Sequence, residues 1–69
     1  MSLCRWSRTS DLYVYEDADR GWVFEVATGR RRETITEITR EGARARLHRL
    51  REEGVRFPDE AFGRLDEQA

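Results

Sequence analysis

Lysine and asparagine are absent from this 69-residue chain, and cysteine, proline, histidine and methionine occur once each. A single cysteine, Cys4, excludes an intramolecular disulfide and a cysteine-based metal cage. The lone histidine, His48, lies far from Cys4 in sequence and would need carboxylates to complete any site, so no metal is expected. No apolar run approaches the ~20 residues of a membrane span, and the first residues lack a signal peptide's apolar core. Those two absences make a cytoplasmic protein with no membrane partner the expectation. Missing too are a phosphate-binding glycine loop and a nucleophile motif, so no catalytic residue, cofactor or small-molecule substrate is assigned and no enzyme is expected.

Without lysine, all 13 basic residues are arginine. GC-rich coding explains this economically, because it disfavours lysine and asparagine codons and enriches arginine, alanine and glycine. The functional alternative is a demand for guanidinium forks, which grip phosphate and carboxylate in two places at once. Aliphatic and phenyl side chains are also sparse: Leu, Ile, Val and Phe number 14, near the compositional border with disorder. Two tryptophans and two tyrosines shift the balance towards folding, since each buries a large area while keeping a polar atom wet. The length suits one domain, residues 1–69, burying only ~60% of the surface its unfolded chain exposes.

The aromatics concentrate between Asp11 and Ala27. Leu12, Tyr13, Val14 and Tyr15 lead into the polar Glu16-Asp17-Ala18-Asp19-Arg20-Gly21, and Trp22 to Val26 restore a β-rich composition, which predicts strands over 11–16 and 22–27. By the two-residue period, Trp22, Phe24 and Val26 share one face while Val23, Glu25 and Ala27 share the other. Downstream, Ala43, Leu47, Leu50 and Gly54 form a narrow helical stripe, predicting a helix over 39–53 with Gly54 as its left-handed stop. Its start is ambiguous: Thr34-Ile35-Thr36-Glu37 matches a capping box, and Thr39 competes as N-cap. Ile35 and Ile38 lie off the stripe and belong either to a possible third strand over 32–36 or to the helix entry, with Ile38 available to pack on the first helical turn. Pro58-Asp59-Glu60 opens a second helix over 58–67, with Ala61, Phe62 and Leu65 inside and a Glu60–Arg64 pair outside. The fold class is therefore α+β, a two- or three-stranded antiparallel sheet packed on a long and a short helix. Trp22, Phe24, Leu47, Leu50, Phe62 and Leu65 are its expected shared core.

Charge is segregated along the chain: residues 1–29 sum to −2, residues 30–51 to +5 and residues 52–69 to −4. Either the acidic ends fold back on the basic middle, or the middle is a patch for phosphate or an acidic partner. Arg30, Arg31 and Arg32 open this segment, and Arg40, Arg44 and Arg51 run along one flank of the helix. His48 falls opposite the apolar stripe with Glu52 one turn on, a solvated pair rather than a general base with a pocket. Cys4 beside Trp6 reads as a small packed hydrophobe.

Cys4-Arg5-Trp6-Ser7, the block Ser10-Asp11-Leu12-Tyr13-Val14-Tyr15-Glu16-Asp17, the Gly21-Trp22 restart and Gly54-Val55-Arg56-Phe57-Pro58 followed by Arg64-Leu65 resemble short hypothetical proteins of actinobacteria and their phages. The likeness covers nearly the whole chain and implies source and architecture; it brings no cofactor and no catalytic residue. The Arg30-Arg31-Arg32 run departs from it. A second likeness is to antitoxin folds in which a small sheet packs on a helix.

Two functional expectations follow from different classes. The first is a non-enzymatic protein-interaction module, a modulator of a host protein in the phage setting that the resemblance implies. Tyr13, Tyr15 and Trp6 would form the interface, with another protein or a second copy as partner. The alternative is a nucleic-acid-binding or antitoxin-like regulator using Arg30, Arg31, Arg32, Arg40, Arg44 and Arg51.

Overall fold

The computed structural model describes residues 2–67, arranged as four strands followed by two helices: β1 (Ser2–Cys4), β2 (Leu12–Asp17), β3 (Gly21–Thr28), β4 (Arg31–Glu37), α1 (Arg40–Glu52) and α2 (Glu60–Glu67). The strands form one antiparallel sheet in chain order, β1-β2-β3-β4. Register places Val14 beside Phe24 and Phe24 beside Ile35, so one apolar row crosses the three long strands. Both helices cover this side. The architecture is α+β, with the third strand present and a short N-terminal strand that alternation does not reveal.

β1 escapes sequence reading for a geometric reason. An irregularity of register between Ser2 and Cys4 breaks the alternation, and Leu3 and Cys4 are both buried. A bulge of this type sends neighbouring side chains to the same side of the sheet, the reverse of the expected period. The Cys4 thiol donates to the Leu12 carbonyl at 3.4 Å, and burial pushes its pKa up, which keeps it a protonated packing group.

The two candidate caps are separated by strand pairing. Thr34 and Thr36 sit in β4 opposite Glu25 and Val23, whereas Thr39 caps α1, its hydroxyl accepting from the Gly42 N–H at 3.0 Å. At the other end Gly54, at φ 94°, makes the left-handed turn. The Gly54 N–H donates to Arg51 O and the Val55 N–H to Leu50 O, each at 3.0 Å. These paired bonds satisfy carbonyls of the last turn and fold Val55 back over Leu50, both in the core.

Trp22, Phe24, Leu47, Leu50 and Leu65 are buried together, with Leu3, Leu12, Val14, Val26, Val55 and Phe57 completing the core. Two expectations are corrected. Phe62 is only half-buried, because its ring sits at the rim against Phe57 and His48, at centroid distances of 5.7 Å and 4.6 Å. Ile38 is 85% exposed rather than packed on the first helical turn, because it occupies the bend between Glu37 and the Thr39 cap.

The helices are antiparallel, as two ion pairs show: Arg44 early in α1 holds Asp66 late in α2, and Arg51 at the end of α1 holds Asp59 just before α2. Pro58 stands ahead of the helix proper, its carbonyl accepting from the Ala61 N–H at 3.1 Å. Glu60 and Arg64 pair on the exposed side at 3.7 Å, as their spacing predicts.

Candidate functional site

The helices occupy one face of the sheet, and strand periodicity determines what the other presents. β2 contributes Tyr13 and Tyr15, β3 contributes Val23, Glu25 and Ala27, and β4 contributes Arg32, Thr34 and Thr36. Val23 is fully buried even here, flanked in register by Tyr15 and Thr36.

Trp6 reaches this face from the loop that joins β1 to β2. Ser7 and Ser10 exchange two backbone hydrogen bonds of 3.2 Å, pinching residues 7–10 into a turn. The buried Ser10 hydroxyl anchors its base by donating to Leu12 O at 2.8 Å. Trp6 itself remains 46% exposed. Its ring lies 6.1 Å from Tyr13 at 57°, and Tyr13 lies 5.3 Å from Tyr15 edge-on at 85°. Edge-to-face geometry is the favoured arrangement of aromatic pairs and adds to their area burial. The structure thus gathers all three aromatic candidates into one continuous row.

Beside the row runs an open groove of about 470 Å³, lined by Trp6, Glu25, Val26, Ala27, Arg32, Glu33 and Thr34. Glu25 is half-buried in it, and no ion pair to Glu25 is found among the described residues. Sequence reasoning put Glu25 on this face but gave it no role. The available signal was its alternation with Phe24 and Val26.

The basic segment does not form a free patch. Arg31 bridges Glu33 and Glu53 at 2.6 Å and 2.7 Å, Arg46 bonds Glu37 at 2.9 Å, and Arg49 approaches Glu53 at 3.8 Å. Arg44 is paired with Asp66, whose carboxyl it holds below the usual carboxylate range, and Arg40 adds its charge beside the same group. Arg51 pairs with Asp59, donates to Phe57 O at 2.6 Å and lies over the Phe57 ring at 4.3 Å. The acidic C-terminal segment therefore folds back on the helix arginines. Of Arg30 to Arg51, Arg30 and Arg32 make no ion pair among the described residues.

His48 rests its ring on Phe62 and pairs with no acid among the described residues, so the expected His48–Glu52 contact is replaced by stacking. Among the described residues no three His, Cys, Asp or Glu side chains group to hold a metal ion, and no helix is long and apolar enough to cross a membrane. Compared with known proteins, the chain matches no family model, no curated sequence and no solved structure.

Proposed function

We propose that the chain is a small non-enzymatic interaction module that docks another polypeptide on the sheet face its helices leave uncovered. The observation that carries this reading is the row Trp6–Tyr13–Tyr15, in which each ring touches the next on an outward face. Tyrosine and tryptophan anchor protein interfaces because they bring large area at low rotamer cost and keep a polar tip for the rim. A cross-strand pair formed only for sheet stability does not explain Trp6, which comes from a loop and is nearly half exposed.

The nucleic-acid alternative draws on the same rings as a stacking platform and on Arg30 and Arg32 as phosphate contacts. Against it, the groove beside Trp6 sets the unpaired Glu25 carboxylate together with Arg32, so a phosphodiester there would meet repulsion as well as attraction. Of the helix arginines, which a duplex would need, Arg44, Arg46, Arg49 and Arg51 are engaged by acids of the chain itself.

A photo-cross-linking amino acid at Tyr13, compared with the same group at His48 on the helical side, tests the reading. Capture of a discrete polypeptide from position 13 alone, lost when Trp6→Ala is added, is the expected result. Capture of RNA or DNA from position 13, or equal capture from both positions, overturns it.

A further inference from the structure

We infer that the polypeptide docked on the uncovered face is an extended acidic segment carrying one basic side chain, its carboxylates on the arginines at one end of the sheet and its basic group against Glu25. This rests on the interaction-module reading and adds the chemistry of the partner.

Unpaired charge at that end is unequal in sign. The 5–11 loop and the β3–β4 hairpin meet there, where the Ala27 N–H donates to Asp11 O at 2.9 Å. Arg5 and Arg8 of the loop, Arg30 of the hairpin and Arg32 of β4 are all exposed and make no ion pair among the described residues. Nearby acids are already engaged, Asp11 by Arg56 at 3.1 Å and Glu33 by Arg31 at 2.6 Å. Glu25 is the exception. It is half-buried and shares the groove with Trp6 and Arg32, yet Arg32 does not pair with it. Free guanidiniums therefore surround a single free carboxylate.

Register sets the order of the two signs. Arg32 stands opposite Ala27 and Glu25 opposite Thr34, so they belong to successive rows of the same face. Such rows are about 7 Å apart along the strands. An extended polypeptide repeats its own side chains at that interval, every second residue, and can present a carboxylate to Arg32 and a cation to Glu25. Guanidinium forks suit carboxylates in particular, which they bind in two places at once. A basic group at Glu25 would gain a charge-assisted hydrogen bond in the same groove as the Trp6 indole, whose face attracts cations. A wholly acidic segment would set like charge against Glu25, and a wholly basic one would meet the arginines. Nucleic acid carries a negative charge at every nucleotide and has no cation to offer Glu25. Only a polypeptide can change sign from one row to the next.

Fluorescence anisotropy with labelled probes tests this: a short acidic peptide with one central arginine, the same peptide with glutamine in its place, a charge-inverted peptide and oligothymidylate. The arginine-bearing acidic peptide is expected to bind most tightly, by about threefold over its glutamine form and at least about tenfold over the other two probes, weakening as salt is added. Glu25→Gln should abolish the difference between the two acidic peptides, and Arg30→Glu with Arg32→Glu should weaken both by at least about tenfold. Circular dichroism checks that each variant folds. Equal affinity for the two acidic peptides, tighter binding of the charge-inverted peptide or of oligothymidylate, indifference to the arginine reversal, or no binding of any peptide overturns the inference. Cross-linking at position 13 separates its failure from that of the module reading. Capture of a polypeptide with no acidic segment overturns the inference alone, and capture of nucleic acid overturns both.

Discussion

Arg56 grips Asp11 across 45 positions of sequence through two nearly parallel bonds, Nε to Oδ2 at 3.1 Å and Nη2 to Oδ1 at 3.2 Å. The backbones meet at the same point, the Asp11 N–H donating to Arg56 O at 2.8 Å. The segment that leaves α1 is thereby fastened to the loop that enters β2. The guanidinium beside Asp11 holds its carboxyl below the usual range, as the Asp19 N–H does for Asp17 and Arg44 does for Asp66.

A carboxyl whose folded pKa is depressed adds stability that is present above its unfolded value, about 4, and is lost as pH falls through the lower folded value. Urea denaturation should therefore show stability declining below pH ~4. Asp11→Asn should lower stability at pH 7 and flatten part of that acid dependence. An unchanged pH profile in the variant would show that the Arg56 contact contributes nothing to it.

Leu50 is fully buried, shares the core with Val55, and accepts the Val55 N–H at its carbonyl after the Gly54 turn. Leu50→Ala should cost about 2 to 5 kcal/mol by losing apolar contact and leaving a cavity, enough to unfold much of so small a domain. The thermal midpoint measures it directly, and an unchanged value would contradict the phase of α1.

Gly21 has φ 83°, and a Cβ there would stand 2.5 Å from Glu37 O, a backbone atom of the adjacent strand. Gly29 also has positive φ, at 54°, but nothing lies within 4 Å of its missing Cβ. Gly29→Ala should cost about 1 to 2 kcal/mol, the left-handed penalty alone, and Gly21→Ala clearly more. Denaturant midpoints for the two variants should rank them in that order.

The two tryptophans differ sharply in exposure, 46% for Trp6 and 9% for Trp22. In a Trp22→Phe variant the remaining emission should be red-shifted and readily quenched by acrylamide; in Trp6→Phe it should be blue-shifted and protected. Trp6→Ala should change stability by only about 0.5 kcal/mol, because its role is outward. Similar quenching of both residues would remove Trp6 from the surface row.

Elements with a strong local signal were legible: β2 and β3 from alternation, α1 from its stripe, the helix stop from Gly54. The 31–37 segment carried Thr and Ile at β spacing, yet its capping-box look-alike left open what pairing with β3 resolves. β1 was hidden because a bulge cancels the period on which such reading depends. Tyr13 and Tyr15 were placed on one face by spacing alone, but the position of Trp6 depends on the Ser7–Ser10 turn, a tertiary feature of the loop. Likewise the charge blocks hinted at mutual neutralisation, while the partners Asp59 and Asp66 follow only from antiparallel packing of the helices.

The first strand leans on the last helix, with Leu3 and Cys4 of β1 sharing the core with Ala61 and Leu65 of α2. A nascent chain emerging from the ribosome can pair β2, β3 and β4 early, since consecutive hairpins need only short loops. It cannot seal the cover over β1 until α2 has also been released. Loss of β1 or of α2 therefore uncovers the same corner of the core, and a product lacking either should be a ready substrate for proteolysis.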